Sequence, residues 1–303
     1  MKPFFNSKYP ILLAGMNKVS DLRLAIAAHS CGIFASLSVF NYYDYRIGTP
    51  VYQNLKKDIL EFQDKTGSNN LMISTNDKFL FDTEFLEICQ LKLFTHLELI
   101  VIPTSNSGMI ETFSHPIIDE IKNYGIKIVF KISHSYPKTS MGDAYTLKGT
   151  GGAGSIHDFG ETLIETLDRL KLENENVKII ATGGIGTGAQ IKELLNHGAI
   201  MVGIGTLFAA SEESCISIES KRKMIESNSN DISRFDNSGQ NALIFKIIED
   251  RYKDDVNNTL SLKRGIKSPE QGHLFAGLGI DNITEILPMK DIVDRLVGEM
   301  NVC

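Results

Sequence analysis

Short, continuous apolar runs recur along this chain, separated by amphipathic stretches of helical period. The runs are Ile11–Ala14, Ile33–Ser38, Leu71–Thr75, Leu97–Ile102, Ile128–Ser133, Ala144–Lys148, Val177–Thr182 and Ala199–Ile204. Most are apolar at consecutive rather than alternate positions, as expected of parallel strands covered on both faces. Helical periodicity predicts helices over Asp21–His29, Tyr52–Thr66, Asp82–Leu93, His115–Tyr124, Phe159–Leu170 and Gln190–Asn196. Asp82 and Thr187 are placed to cap helix starts, and Gly125 and Gly198 to stop them. Eight strands alternating with helices predict an α/β fold, a closed (β/α)8 TIM barrel, with an open doubly wound sheet as the alternative.

Two places break the rhythm. After the fifth strand, Ser133–Gly142 is too short and interrupted for a full crossover helix. After the eighth, Ala209 to about Gly272 is polar and reads as largely helical, with loops at Ser227–Ser238 and Asp254–Asn258. The expected organisation is a barrel over residues 1–208, a helical cap over 209–271, and a return to the barrel over 272–303 that ends in a helix at Met289–Met300.

Length and charge narrow the function classes. A chain of 303 residues can bury one large core. With 31 basic against 37 acidic residues and no basic stripe, neither nucleic acid nor a membrane surface is an expected partner. No apolar window approaches a membrane span, and the N-terminal segment is too polar for a signal peptide. Cys31, Cys89, Cys215 and Cys303 are far apart, so reduced thiols in a cytoplasmic protein are expected, with no metal site. The expected partner is a small molecule; the oligomeric state stays open, a homodimer being one option.

The most informative stretch is Val177–Phe208, a buried strand ending in Gly183-Gly184, a helix, then a buried strand ending in Gly205-Thr206. Two successive strand ends that deliver backbone N–H groups form a cradle for a phosphate. The glycines let the main chain approach the anion, and a neighbouring helix start favours its charge. In a barrel, chemistry sits at the C-terminal ends of the strands. That rule gathers Gly15-Met16-Asn17, Ser74–Asn76, Lys131–His134, Gly149–His157 and the cradle at one mouth. Such a cradle suits the phosphate of a cofactor, or the phosphorylated metabolite of a lyase or isomerase.

On these residues the chain resembles the nitronate monooxygenase (2-nitropropane dioxygenase-like) family of FMN-dependent barrels, which is related to the FMN-containing enoyl-acyl-carrier-protein reductases. The resemblance rests on Pro10–Met16 followed by Val19-Ser20, Leu147–Gly154, Ile180–Gly186, Val202–Ser214 and the glycine loop Ala276–Gly279. It implies that Gly183, Gly184, Gly205 and Thr206 hold the FMN phosphate and that Ala14, Gly15 and Met16 line the flavin ring. It also implies that Lys131 lies by the flavin N1 edge, and that Ser74, Gly149, Gly152 and Gly277 flank the cofactor. A fixed ammonium near N1 would stabilise the anionic reduced flavin.

The chain departs from the family at the acid–base position. Where the family's strand-six loop carries Glu-Ala-Gly-Gly-His, this chain has Gly151-Gly-Ala-Gly-Ser155, so Ser155 replaces the histidine. Ser74 stands where the family commonly has asparagine. A serine hydroxyl cannot take over from an imidazole that titrates near neutrality. His157, two residues on, and His134, in the short strand-five connection, are the candidate replacements. The resemblance therefore implies an FMN-dependent oxidoreductase with an altered active-site loop, using NAD(P)H or molecular oxygen as second substrate. An enoyl reductase-like flavoenzyme and a flavin-holding accessory protein are the alternatives within it.

Overall fold

The computed structural model describes residues 4–44, 48–76, 79–100, 115–132, 134–135, 142–152, 154–155, 160–235, 240–243 and 259–302. Eight strands form one parallel sheet: β1 Ile11–Leu13, β2 Ala35–Ser38, β3 Leu71–Asn76, β4 His96–Ile100, β5 Lys127–Ile132, β6 Ala144–Lys148, β7 Ile179–Thr182 and β8 Met201–Ile204. They run in the order β1-β8-β7-β6-β5-β4-β3-β2. The circle closes between β1 and β2, where the Leu13 N–H donates to the Phe34 carbonyl at 2.9 Å and the Phe34 N–H to Ile11 at 2.8 Å. All eight predicted strands are present, and the closed barrel displaces the open sheet.

The predicted helices appear as α1 Leu22–Ser30, α2 Tyr52–Thr66, α3 Thr83–Gln90, α4 Pro116–Asn123, α5 Leu163–Glu173 and α6 Gly188–Asn196, followed by the short α7 Thr206–Ala209. Asp21 caps α1 through the Leu24 N–H, and Thr187 opens α6 with a full capping box to Gln190. Asp82 sits at the start of α3 without capping it; its carboxylate instead accepts from the Tyr52 hydroxyl. Later come α8 Ile218–Glu226, α9 Thr259–Lys267 and α10 Met289–Val302. Among the described residues no helix is long and apolar enough to cross a membrane.

Two cores follow from the strand period of two. The outward faces pack with the helices into one large apolar cluster. Inside the barrel, Phe5, Leu12, Phe34, Met72, Val129, Ala144, Ile180 and Met201 fill the N-terminal end. His96 belongs to that floor. Its Nε2 meets the Phe4 carbonyl at 3.0 Å, its Nδ1 meets Thr95 Oγ1 at 2.9 Å, and its ring stacks on Phe5. The upper interior is polar instead: Ser36, Ser38, Ser74, Asn76, Glu98, Thr146 and Thr182 are all buried there.

The region after β8 differs from its expected form. Within the predicted loop Ser227–Ser238, Ile232–Phe235 is a strand, paired antiparallel with Gln240–Leu243. That hairpin takes Gly154–Ser155, from the strand-six loop, as its third strand, with Gln240 opposite Ser155. Among its described residues the expected helical cap thus holds a strand pair as well as helices. The alternation in Ile232-Ser-Arg-Phe235 ahead of Asp236-Asn-Ser-Gly239 is a hairpin signal that the surrounding Asn and Ser residues obscure. The expected loop Asp254–Asn258 lies outside the described residues.

Candidate active site

A buried carboxylate organises the upper barrel. Glu98, from β4, is 1% exposed. Its Oε2 accepts from Ser74 Oγ at 2.7 Å and its Oε1 from Thr146 Oγ1 at 2.7 Å. Lys131 Nζ, from β5, lies 3.6 Å from Oε2. Burial alone would raise the Glu98 pKa, but the Lys131 ammonium and the two hydroxyl donors outweigh it and hold the carboxyl below its usual value. Both Glu98 and its role escape the sequence reading. The signal was a single charge inside the apolar run His96–Ile100, where an unpaired carboxylate would be too costly to bury.

Lys148 was missed as well. It ends β6 two residues beyond Thr146, hence on the same inward face and one layer nearer the mouth. Burial, then the Lys131 charge, push its amine down to about 7, while Glu98 pulls the other way. Asn76 lies likewise one layer above Ser74; it is buried, and its Oδ1 meets no partner among the described residues. The amide sought at Ser74 is thus present two positions along the same strand face.

Over this polar layer runs the strand-one loop. A Cβ built on Gly15 would fall 2.5 Å from Ser74 Cβ and 3.5 Å from Glu98 Oε2, so the loop crosses the mouth at contact distance. Met16 Sδ would stand 3.3 Å from a Cβ on Gly205, and Ala14 Cβ 3.7 Å, which ties the same loop to the end of β8.

The turns after β6 and β7 pack backbone to backbone. Gly183 has φ +110° and Gly184 φ +75°. A Cβ on Gly183 would meet the Gly149 carbonyl oxygen at 2.7 Å, and one on Gly152 would meet Gly183 Cα at 2.9 Å. Only glycine satisfies both the left-handed backbone and this spacing. The C-terminal glycine loop seals the arrangement: the Leu278 N–H donates to the Gly151 carbonyl at 2.8 Å, and the Gly277 N–H to Thr206 Oγ1 at 3.0 Å. Ala14, Gly15, Met16, Ser74, Lys131, Gly149, Gly152, Gly183, Gly184, Gly205, Thr206 and Gly277 are therefore brought together.

One part of the expected cradle is already occupied. The first N–H groups of α6 are met within the chain: Gly186 and Thr187 donate to Gln190 Oε1, and Gly188 donates to Glu299 Oε2. By contrast, the N–H groups of Gly183, Gly184, Gly205 and Thr206 meet no acceptor among the described residues. Unpartnered backbone donors at the ends of β7 and β8, with the orphaned Asn76 amide oxygen at the end of β3 across the same mouth, fit a phosphate-bearing, polar-edged cofactor such as FMN.

The candidate acid–base residues are dispersed. His134 is held on the side of α5, where Arg169 Nη2 lies 3.1 Å from its Nδ1 and Glu161 Oε2 lies 3.5 Å from the same atom. Ser155 is in the three-stranded cap sheet. His157 lies outside the described residues.

A nitronate monooxygenase family model matches residues 138–299, more than half of the chain. The chain belongs to the nitronate monooxygenase family. As a member it is an FMN-dependent oxidoreductase. Among solved structures it resembles FabK from Thermotoga maritima, in the M276A form, with a TM-score of 0.81 at 21% identity over 98% of this chain and 94% of that one. It also resembles nitroalkane oxidase from Streptomyces ansochromogenes, with a TM-score of 0.73 at 17% identity over 98% and 97%. The enoyl reductase domain of MlnA from Bacillus amyloliquefaciens superposes with a TM-score of 0.68 at 10% identity over 98% and 95%. At these identities the likeness speaks for the fold. No curated protein matches the chain by sequence. Family membership sets aside the lyase and isomerase reading of the cradle.

Proposed function

We propose that this nitronate monooxygenase family member acts on a small carbon acid whose conjugate base is an oxygen-centred anion, a nitronate or an enolate. The observation that carries the reading is the charge at the barrel mouth: two lysines, Lys131 and Lys148, around the single carboxylate of Glu98. Lys131 offsets Glu98, and the partly protonated Lys148 adds positive charge shielded from water, which favours an anion over its neutral acid.

FMN, when bound, supplies two-electron redox chemistry. The N–H groups of Gly183, Gly184, Gly205 and Thr206 would hold its phosphate, and Ala14–Met16 with Gly149, Gly152 and Gly277 would line it. Lys131, fixed by Glu98, would stabilise negative charge at the ring edge. Glu98 sets the position of that ammonium, and Ser74 and Thr146 set the position of Glu98. The second substrate, NAD(P)H or molecular oxygen, belongs to the same proposal.

Anaerobic titration of the FMN-loaded protein with NADH and NADPH, followed by a panel of nitronates, enoyl thioesters and quinones, tests this. Turnover of nitronates with oxygen is expected. Turnover confined to enoyl thioesters would assign an enoyl reductase instead, a reading with which the FabK-like fold is also compatible.

A further inference from the structure

We infer that Lys148 is the group that exchanges a proton with the substrate, in the place of the imidazole that the family carries where this chain has Ser155. The inference rests on the proposed carbon-acid chemistry.

Position comes first. Lys148 shares the inward face of β6 with Thr146, whose hydroxyl reaches Glu98 inside the barrel. Its stem lies along the strand-six turn, since its Cε would stand 3.5 Å from a Cβ on Gly152, the residue that packs on Gly183. The amine is thus held beside the glycine wall at the mouth, and no hydrogen-bond partner meets it among the described residues. Among the described residues of the polar layer below it, Glu98 from β4 and Lys131 from β5 carry charge, while Ser74 and Asn76 from β3 and Thr182 from β7 are neutral.

The two lysines are consequently not equivalent. Lys131 has a counter-ion at 3.6 Å and serves as a fixed charge. Among the described residues Lys148 makes no ion pair, and burial with a like charge nearby, only partly offset by Glu98, leaves its amine half-protonated near neutral pH. Such an amine both accepts and returns a proton, which a permanently charged lysine cannot do. In the forward step the neutral Nζ takes the proton from the carbon next to a nitro or carbonyl group. The C–H bond breaks, an N–H bond forms, and the electron pair passes onto the nitro or carbonyl oxygen as a nitronate or enolate. The proton then returns to water.

The test measures the ionisation of Lys148 directly, by competitive acetylation with mass-spectrometric readout across pH, in FMN-loaded and FMN-free protein. The expected half-labelling pH is near 7, moving up in Lys131→Met and down in Glu98→Gln. A midpoint like that of a free lysine, about 10.4, or one insensitive to both substitutions, overturns the inference. Lys148→Arg keeps the charge and cannot titrate, and the nearly isosteric Lys148→Met guards against a misfolded arginine variant. Both should retain FMN and lose about 10²–10⁴-fold on a neutral nitroalkane, the usual scale of general-base catalysis, while losing less than about tenfold on its preformed nitronate. Equal losses on the two forms, or loss of FMN from Lys148→Arg, overturn the assignment. A protein that never takes up FMN would instead refute the proposed function, and the Lys148 midpoint in that protein still decides this inference.

Discussion

Glu98→Gln removes one charge from the polar barrel layer while preserving its volume. In the wild type the carboxylate takes two hydroxyl hydrogen bonds and faces Lys131 at 3.6 Å. The amide can still accept from one hydroxyl, so most of the loss is electrostatic. Removing one partner of a buried ion pair costs about 3–5 kcal/mol. A second route limits that figure. A lysine stripped of its counter-ion can release its proton, which at pH 7 costs an ordinary amine about 4.6 kcal/mol, from about 3.4 units at about 1.36 kcal/mol each. Lys148, already held near 7, releases its proton at almost no cost. We therefore expect destabilisation of roughly 3 kcal/mol at pH 7. Urea unfolding of wild type and variant at that pH measures this, with FMN absent so that ligand linkage does not enter. A loss below about 1 kcal/mol would refute the argument that Glu98 is an ionised partner of Lys131.

Gly184→Asp should purify with native far-ultraviolet dichroism but without FMN. Its backbone is at φ +75°, a Cβ would stand 3.2 Å from Gly151 Cα, and the carboxylate would repel a phosphate; full FMN occupancy would show that the cradle lies elsewhere. Lys131→Met should keep FMN but make it harder to reduce, by about 1–3 kcal/mol on the scale of charge-assisted contacts; an unchanged midpoint potential would place Lys131 away from the ring. Burial, only partly offset by the Phe4 carbonyl, holds the His96 imidazole down to about 4 from 6.5. The folded state thus resists its protonation, so its share of stability is complete above about pH 6.5 and is lost as pH falls towards 4, about 3 kcal/mol in all. His96→Asn should flatten that limb of a pH–stability curve, leaving the part due to His273, also held near 4 by burial; an unaltered limb would mean that His96 titrates freely.

What could be read along the chain was whatever a local pattern encodes. Continuous apolar runs gave the eight strands because a barrel strand is covered on both faces. The glycines at Gly183-Gly184 and Gly205 pointed to the proposed cradle because a close backbone approach leaves no room for a Cβ, and that demand is written in the residue type itself. Ser155, where the family resemblance implies a histidine, was likewise legible as a residue type. Glu98 and Lys148 were not legible, since a lone charge in a strand takes its meaning from the face on which it lies and from the strands beside it. Only closure of the barrel sets Glu98 between Ser74, Thr146 and Lys131 and leaves Lys148 without an ion pair among the described residues. The hairpin that captures Gly154–Ser155 is a pairing over some 85 residues of sequence, from Ser155 to Gln240, and no local signal specifies such a partner. The strand ends thus carried the proposal of where a phosphate sits, and the tertiary structure decided which amine can hold or release a proton there, because that depends on the charges the fold places around it.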